Sequence, residues 1–365
     1  MIDKKISGEK ILIINNGLAG GGTERASVSL ANYFQSKGYS VTILAVYKSI
    51  PFYHLNHKIN FIEPDFDRTQ YSQSRYLIKL LLFIRANVKK IDPATILSFN
   101  EWTNAYVILA LLGLQFPVYV SERMNPRAKI PSVTEFFRKK LYKYADGVIT
   151  QTAFGKKVIQ KSTKSKNVTV IPNPVNVIES INTTKLNRIV AIGRLESVKG
   201  HRYLIEAFSL IDEASWKLSI VGDGSEKENL IKLAEELGIS SRVTFYGHLL
   251  DFRKQLSEAK IYVLPSIREG FPNSLIEAMS LPIACISGNY YEGENDLVVD
   301  GVNGLLFEPC NIEELANAMK KLINHEDLRD KLAQNSLQVR EILNFDKIAN
   351  RYLDVIFSHD NKKVD

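Results

Sequence analysis

Ile261-Tyr262-Val263-Leu264-Pro265-Ser266-Ile267-Arg268-Glu269-Gly270-Phe271-Pro272-Asn273-Ser274-Leu275-Ile276-Glu277 decides how this chain is read. Four apolar, strand-favouring residues run into a Pro-Ser break, then a loop with an acid and a glycine, then a helix-forming run with a second acid. Strand, polar loop and helix in that order are how an open α/β sheet presents groups to a ligand beyond its strand ends. Glu269 precedes Pro272 and belongs to the loop, whereas Glu277 falls on the helix, so the two acids would reach different parts of one ligand. The stretch equally fits an ordinary helix start, with Asn273 or Ser274 as N-cap and Glu277 as a helix-face acid.

Outward from this stretch the same alternation recurs. Apolar runs at 11–14, 41–46, 95–98, 118–121 and 148–150 are separated by amphipathic segments near 23–37, 75–90, 103–113 and 132–144. A second set of strands at 188–192, 217–221, 243–246, 261–264 and 283–286 alternates with helices near 201–211, 226–237, 251–258 and 273–280. This βαβ order predicts parallel sheets covered by helices, an α/β protein. Val170-Ile171-Pro172-Asn173-Pro174-Val175, followed by polar residues, predicts a junction between domains spanning 1–172 and 173–344. The last helices are expected near 311–322, 326–343 and 346–357, with the tail at 345–365 packing back on the first domain.

A chain of 365 residues suits two doubly wound domains. Its two cysteines, Cys285 and Cys310, and six histidines show no metal-ligand spacing, and a reducing, cytosolic setting is expected. The start lacks a signal-peptide core, and no apolar run approaches the ~20 residues needed to span a bilayer. Charge divides unevenly: residues 1–170 hold 25 Lys and Arg against 11 Asp and Glu, a net +14, while residues 171–365 carry a net −7. The basic half is suited to nucleic acid, an acidic substrate or an anionic membrane, but no nucleic-acid-binding pattern accompanies it, so nucleic acid is not expected.

Three further loops could approach a ligand. Asn15-Asn16-Gly17-Leu18-Ala19-Gly20-Gly21-Gly22-Thr23-Glu24-Arg25 opens into a helix, where glycines and free N–H groups suit a phosphate or sugar, or make a plain turn. Gly193-Arg194-Leu195-Glu196-Ser197-Val198-Lys199-Gly200 places two cations in a strand-to-helix loop, suited to a diphosphate that gains charge as it leaves, or simply solvated. Gly222-Asp223-Gly224-Ser225 repeats the arrangement one strand later. Asp65-Phe66-Asp67 has the form of a metal-binding DxD but precedes a helix in the first half.

Taken in order, these loops give the chain a resemblance to the large retaining glycosyltransferase family 4, of the two-domain GT-B fold. The resemblance rests on Gly21-Gly22 with Glu24-Arg25, Ser121-Glu122-Arg123, Ile171-Pro172-Asn173-Pro174-Val175, Gly193-Arg194-Leu195 with Lys199-Gly200, and Gly222-Asp223-Gly224. It continues through Glu269-Gly270-Phe271 with Glu277, in the family's acid-x7-acid spacing, to Asp300-Gly301-Val302-Asn303-Gly304-Leu305-Leu306, and so covers nearly the whole chain.

The resemblance implies two Rossmann-like domains facing across a cleft and a nucleotide diphosphate sugar as donor. Arg194 and Lys199 would hold the diphosphate, with Gly21 and Gly22 closing over it and Gly193, Gly222 and Gly224 shaping the opposite wall. Glu277 would accept from the ribose hydroxyls. Glu269, Gly270, Phe271, Asn273, Ser274 and Leu275 would border the donor sugar, and Gly247-His248 the base. Arg194, Lys199 and Glu269 would form the catalytic set, without a metal or other cofactor. Arg123 would join the donor-binding set: many family members carry a histidine there, near the donor sugar, so the arginine would contact the sugar or else the phosphate or the acceptor. This chain also reads Tyr290-Tyr291-Glu292-Gly293-Glu294-Asn295-Asp296 where many have Gly-Pro-x-Glu. That segment and Gly-Gly-Thr-Glu-Arg are similar to bacterial enzymes that add N-acetylgalactosamine or related sugars to polyprenyl-diphosphate-linked glycans. The implied reaction moves a hexose or N-acetylhexosamine from UDP-GalNAc, UDP-GlcNAc or UDP-Gal, with retention, to such an acceptor. A phosphorylase, an epimerase or a non-catalytic nucleotide-sugar-binding protein on the same fold is the alternative.

Two segments bear on the acceptor's membrane. Val133, Phe136, Phe137, Leu141 and Tyr144 fall at helical spacing beside Arg138, Lys139, Lys140 and Lys143, and residues 75–90 interleave long apolar residues with Arg75, Lys79, Arg85, Lys89 and Lys90. Either the stripes are core and the cations solvated, or the first domain lies on an anionic leaflet at the cytoplasmic face, as a peripheral protein.

Overall fold

The computed structural model describes residues 8–50, 52–125, 130–290 and 297–358. The chain divides into two compact units, Met1–Asn173 with Asp346–Asp365, and Pro174–Phe345. Each is a parallel α/β sheet wrapped by helices.

The first unit holds seven parallel strands: β1 (Lys10–Asn15), β2 (Ser40–Ala45), β3 (Asn60–Ile62), β4 (Thr95–Phe99), β5 (Val118–Ser121), β6 (Gly147–Thr150) and β7 (Val168–Val170). Their order is β3-β2-β1-β4-β5-β6-β7. Helices α1 (Gly22–Ser36), α2 (Gln73–Ile91), α3 (Glu101–Leu111), α4 (Ser132–Leu141) and α5 (Ala153–Thr163) connect them. Central strands covered on both faces read as unbroken apolar runs, and Ile11 through Ile14 are fully buried. Alternation within β1 still assigns sides: Leu12 and Ile14 join one core with Leu80 and Ile84 of α2 and Val107 of α3.

The second unit holds β8 (Leu186–Ile192), β9 (Lys217–Val221), β10 (Val243–Phe245), β11 (Ala259–Leu264), β12 (Ala284–Gly288) and β13 (Leu305–Phe307), in the order β10-β9-β8-β11-β12-β13. Its helices are α6 (His201–Ser209), α7 (Lys227–Glu236), α8 (Arg253–Glu258), α9 (Asn273–Met279), α10 (Ile312–Asn324), α11 (Glu326–Ser336) and α12 (Val339–Ile342). The last described helix, α13 (Phe345–Ile356), returns to the first unit, where Thr95 donates to the Ile356 carbonyl at 2.9 Å and Tyr352 packs on Phe99.

Several boundaries differ from the sequence reading. Strands β3, β7 and β13 are only three residues long, too short for a periodic signal. Helix α3 starts two residues early because the Asn100 side chain accepts the Trp102 N–H at 2.9 Å. The helix expected at 326–343 is two helices separated at Leu337 and Gln338. The helix expected at 132–144 ends at Leu141 and continues as a single 3₁₀ turn, Tyr142–Tyr144. The segment Tyr291–Asp296 and the tail beyond Ser358 lie outside the described residues.

In the second unit, glycines let backbone pack directly on backbone. Gly200 (φ +69°) sits so that a Cβ would collide with the Pro265 carbonyl, and Gly222 (φ +148°) sits likewise against the Gly193 carbonyl. Both the left-handed backbone and the missing space require glycine. Gly200→Ala is expected to cost about 2 kcal/mol or more and to lower the melting temperature by about 4–8 °C, measured calorimetrically.

Candidate active site

The loops after β8, β9 and β11 meet at the carboxyl end of the second sheet. Gly193 donates its N–H to the Val221 carbonyl at 3.0 Å, Leu195 to Asp223 at 2.9 Å and Gly222 to Gly247 at 2.8 Å. Ile267 donates to the Val198 carbonyl at 2.9 Å, joining the loop after β11 to the cationic loop after β8. Gly193, Gly222 and Gly224 are thus where these loops touch: a Cβ on Gly224 would press on the Leu195 backbone.

On this frame Lys199 Nζ and Glu269 Oε1 form an ion pair at 2.6 Å, and Ser266 Oγ donates to the same carboxylate oxygen at 2.6 Å. The Lys199 side chain is 21% exposed and that of Glu269 10%, so the ammonium keeps a face toward solvent while its partner is nearly enclosed. The Arg194 guanidinium is exposed, with no hydrogen-bond or ion-pair partner among the described residues. Its neighbour Glu196 instead accepts from the Ser225 N–H and hydroxyl, at 3.3 and 2.9 Å, and these bonds lower its pKa. One ammonium held by a buried carboxylate and one guanidinium left available make a site for a polyanion.

Glu277 lies half-buried on α9, where its Oε1 accepts from Asn176 Nδ2 at 3.1 Å. Phe271 is buried, and Asn273 is exposed at the helix start. The Ser274 hydroxyl accepts from the buried Tyr262 at 2.9 Å, and Leu275 is fully enclosed with its N–H given to the Pro272 carbonyl, so these two positions hold α9 on the sheet. Gly270 lies between Glu269 and Phe271 in the same loop, and His248 is exposed beyond Gly247. Asn176 carried no spacing signal in the sequence, since its partner Glu277 lies 101 residues on, whereas Ser266 stands only three residues before its partner Glu269 and was read simply as part of the Pro-Ser break. His201 is also buried here, with neither ring nitrogen bonded; burial, then Lys199, push its pKa down to about 4, so it is neutral.

In the first unit, Gly21 caps α1 without a side-chain bond and exchanges hydrogen bonds with the Tyr53 hydroxyl, while a Cβ on Gly22 would meet open space. Arg123 follows β5: its Nη1 donates to the Tyr352 hydroxyl at 3.3 Å, its Nη2 to Asn173 Oδ1, and its plane lies over Phe99. Asp67 of the DxD-like triplet caps a 3₁₀ turn, accepting the Thr69 N–H at 2.8 Å, and Phe66 is buried.

With this geometry in view, two family models match the chain: Glycosyltransferase Family 4 over residues 20–179 and Glycosyl transferases group 1 over residues 176–339. The chain belongs to glycosyltransferase family 4. A GalNAc-alpha-(1->4)-GalNAc-alpha-(1->3)-diNAcBac-PP-undecaprenol alpha-1,4-N-acetyl-D-galactosaminyltransferase of Campylobacter jejuni is 29% identical over 95% of this chain and 98% of its own. The amylovoran biosynthesis glycosyltransferase AmsD of Erwinia amylovora is 25% identical over 95% and 99%. Among solved structures, Anabaena Alr3699/HepE in complex with UDP superposes with a TM-score of 0.81 at 16% identity, covering 96% of this chain and all of that one, a likeness of fold. This glycosyltransferase has the GT-B architecture of its structural neighbours.

Lys199→Met is expected to leave the fold intact and to lower glycosyl transfer about 100-fold or more, the scale of losing one preorganised electrostatic donor. Turnover kinetics, with a melting curve as control, measure this.

Proposed function

We propose that this glycosyltransferase moves a hexose or N-acetylhexosamine from a UDP-sugar, with retention, onto a polyprenyl-diphosphate-linked glycan. The observation that carries the reading is the Lys199–Glu269 pair beside the exposed Arg194, three charges set on adjoining loops at one sheet edge. As the bond from the sugar to the diphosphate breaks, negative charge accumulates on the leaving phosphate. Lys199 and Arg194 neutralise it, Glu269 fixes the ammonium and orients the sugar, and Glu277 accepts from the ribose hydroxyls. The leaving phosphate then takes the proton of the incoming hydroxyl, so that these side chains suffice without a metal. The undecaprenol-linked substrate named for the Campylobacter relative supports the acceptor class.

The surface of the first unit supports a membrane-bound acceptor. Helix α2 buries Tyr76, Leu80, Ile84 and Val88 but leaves Ile78 and Leu82 about three-fifths exposed, with Arg75, Lys79, Lys89 and Lys90 exposed beside them. Helix α4 likewise exposes Val133 and Phe136 with Lys139 and Lys140, and α3 packs against both helices. Apolar side chains among cations suit the boundary of an anionic leaflet, at the cytoplasmic face. Two cations of the sequence stripe serve inward instead. Arg138 is buried on Glu122 and Glu135, and Arg85 donates to carbonyls at the end of α3, because an ion pair and a helix terminus claim them. No helix among the described residues is long and apolar enough to cross a membrane.

A panel of nucleotide sugars followed by thermal shift and slow hydrolysis is expected to single out one UDP-sugar; response to none would refute the donor assignment. Flotation is expected to recover the protein with anionic vesicles and not with neutral ones at low salt, and Ile78→Ser with Phe136→Ser to weaken that recovery. Equal recovery on both vesicles would refute the membrane contact.

A further inference from the structure

The first unit contains a second buried carboxyl group that none of the roles above uses. Glu101 opens α3 at the carboxyl end of β4 and is 3% exposed. Its Oε1 accepts the backbone N–H groups of two consecutive residues beyond β5, Arg123 and Met124, the latter at 2.5 Å. Its Oε2 is buried with no hydrogen-bond partner. Asn100, immediately before it, holds φ +93°, a conformation uncommon outside glycine, and caps α3 while turning Glu101 inward. The loop it grips carries Arg123, whose guanidinium is fixed at its other end by Tyr352, Asn173 and Phe99.

We propose, resting on the transferase reading above, that Glu101 is a positioning residue, fixing Arg123 for glycosyl transfer through the backbone of its loop. A helix-start acid with a merely local role would bond only its own first turn; this one, besides its own backbone N–H, bonds another loop 22 and 23 residues on. Its surroundings make the grip sensitive to protonation. Glu122 faces it and is itself satisfied by Arg138 and Tyr142. Arg138 of α4 is also shared with Glu135 of the same helix, Arg85 of α2 reaches the far end of α3, and from α13 Tyr352 presents only a hydroxyl. No cation therefore pairs with Glu101 among the described residues, and burial, then Glu122, raise its pKa to about 7. As a carboxylate it makes two charge-assisted bonds; once protonated it offers a neutral carbonyl oxygen and holds the loop more weakly.

The test uses the full chain, with the UDP-sugar found by the donor panel as probe. Wild-type kcat/KM is expected to fall as pH drops through about 7, and the Arg123 and Met124 amide proton shifts to titrate over the same range. Glu101→Gln, which mimics the protonated acid, is expected to sit about tenfold below wild type at about pH 8 and to vary little with pH, its amide shifts flat. A wild-type acid limb retained in Glu101→Gln, or wild-type amide shifts indifferent to pH, would overturn the proposal. The amide titration needs no substrate and no folded variant. A wild type that turned over no nucleotide sugar would refute the donor reading, whereas an active enzyme with non-titrating amides would refute only the role of Glu101.

Discussion

The contact between Lys199 and Glu269 is the constraint around which the second unit is organised. It joins residues 70 apart in sequence, on loops that follow the adjacent strands β8 and β11. For their side chains to meet, the loops must come within backbone contact, which Gly200 permits at Pro265 and the Ile267 to Val198 hydrogen bond secures. A partly buried ion pair gains little net stability, since desolvation offsets attraction. Its value is positional: it holds an ammonium, with one face to solvent, where a polyanion can share it.

The first unit uses the same geometry with different chemistry. At the ends of β4 and β5 two buried carboxyl groups, Glu101 and Glu122, stand close enough to influence one another. Arg138 and Tyr142 satisfy one, while the other holds backbone N–H groups and keeps an oxygen unpaired. Parallel sheets make both arrangements possible, because every strand delivers its following loop to the same edge and the loops inherit the rigidity of the sheet.

The fold and the loops that meet at the edge of the second sheet were legible because each is local. The apolar runs of β1, β8 and β11 are long enough to show their type, and the glycines at 193, 200, 222 and 224 mark where loops touch. Of the three-residue edge strands only β10 was legible, at 243–246; β3, β7 and β13 were not, since three residues carry no period. Nor were the distant partners: Asn176 is set on Glu277 and Glu101 on the Arg123 backbone only once the chain has folded. The cationic stripe at 138–143 read as one surface, yet the helix's rotation of about 100° per residue turns Arg138 inward and leaves Lys139 and Lys140 exposed, an orientation that spacing alone does not fix.

The central claim is that Lys199 and Glu269 act on the donor as one unit, and a double-mutant cycle measures it most directly. With kcat/KM for donor hydrolysis determined for Lys199→Met, Glu269→Gln and the double variant, the account predicts strong coupling, the double variant being no worse than the poorer single one. Losses that add to within about 0.5 kcal/mol would mean that the two residues act independently, and would contradict it.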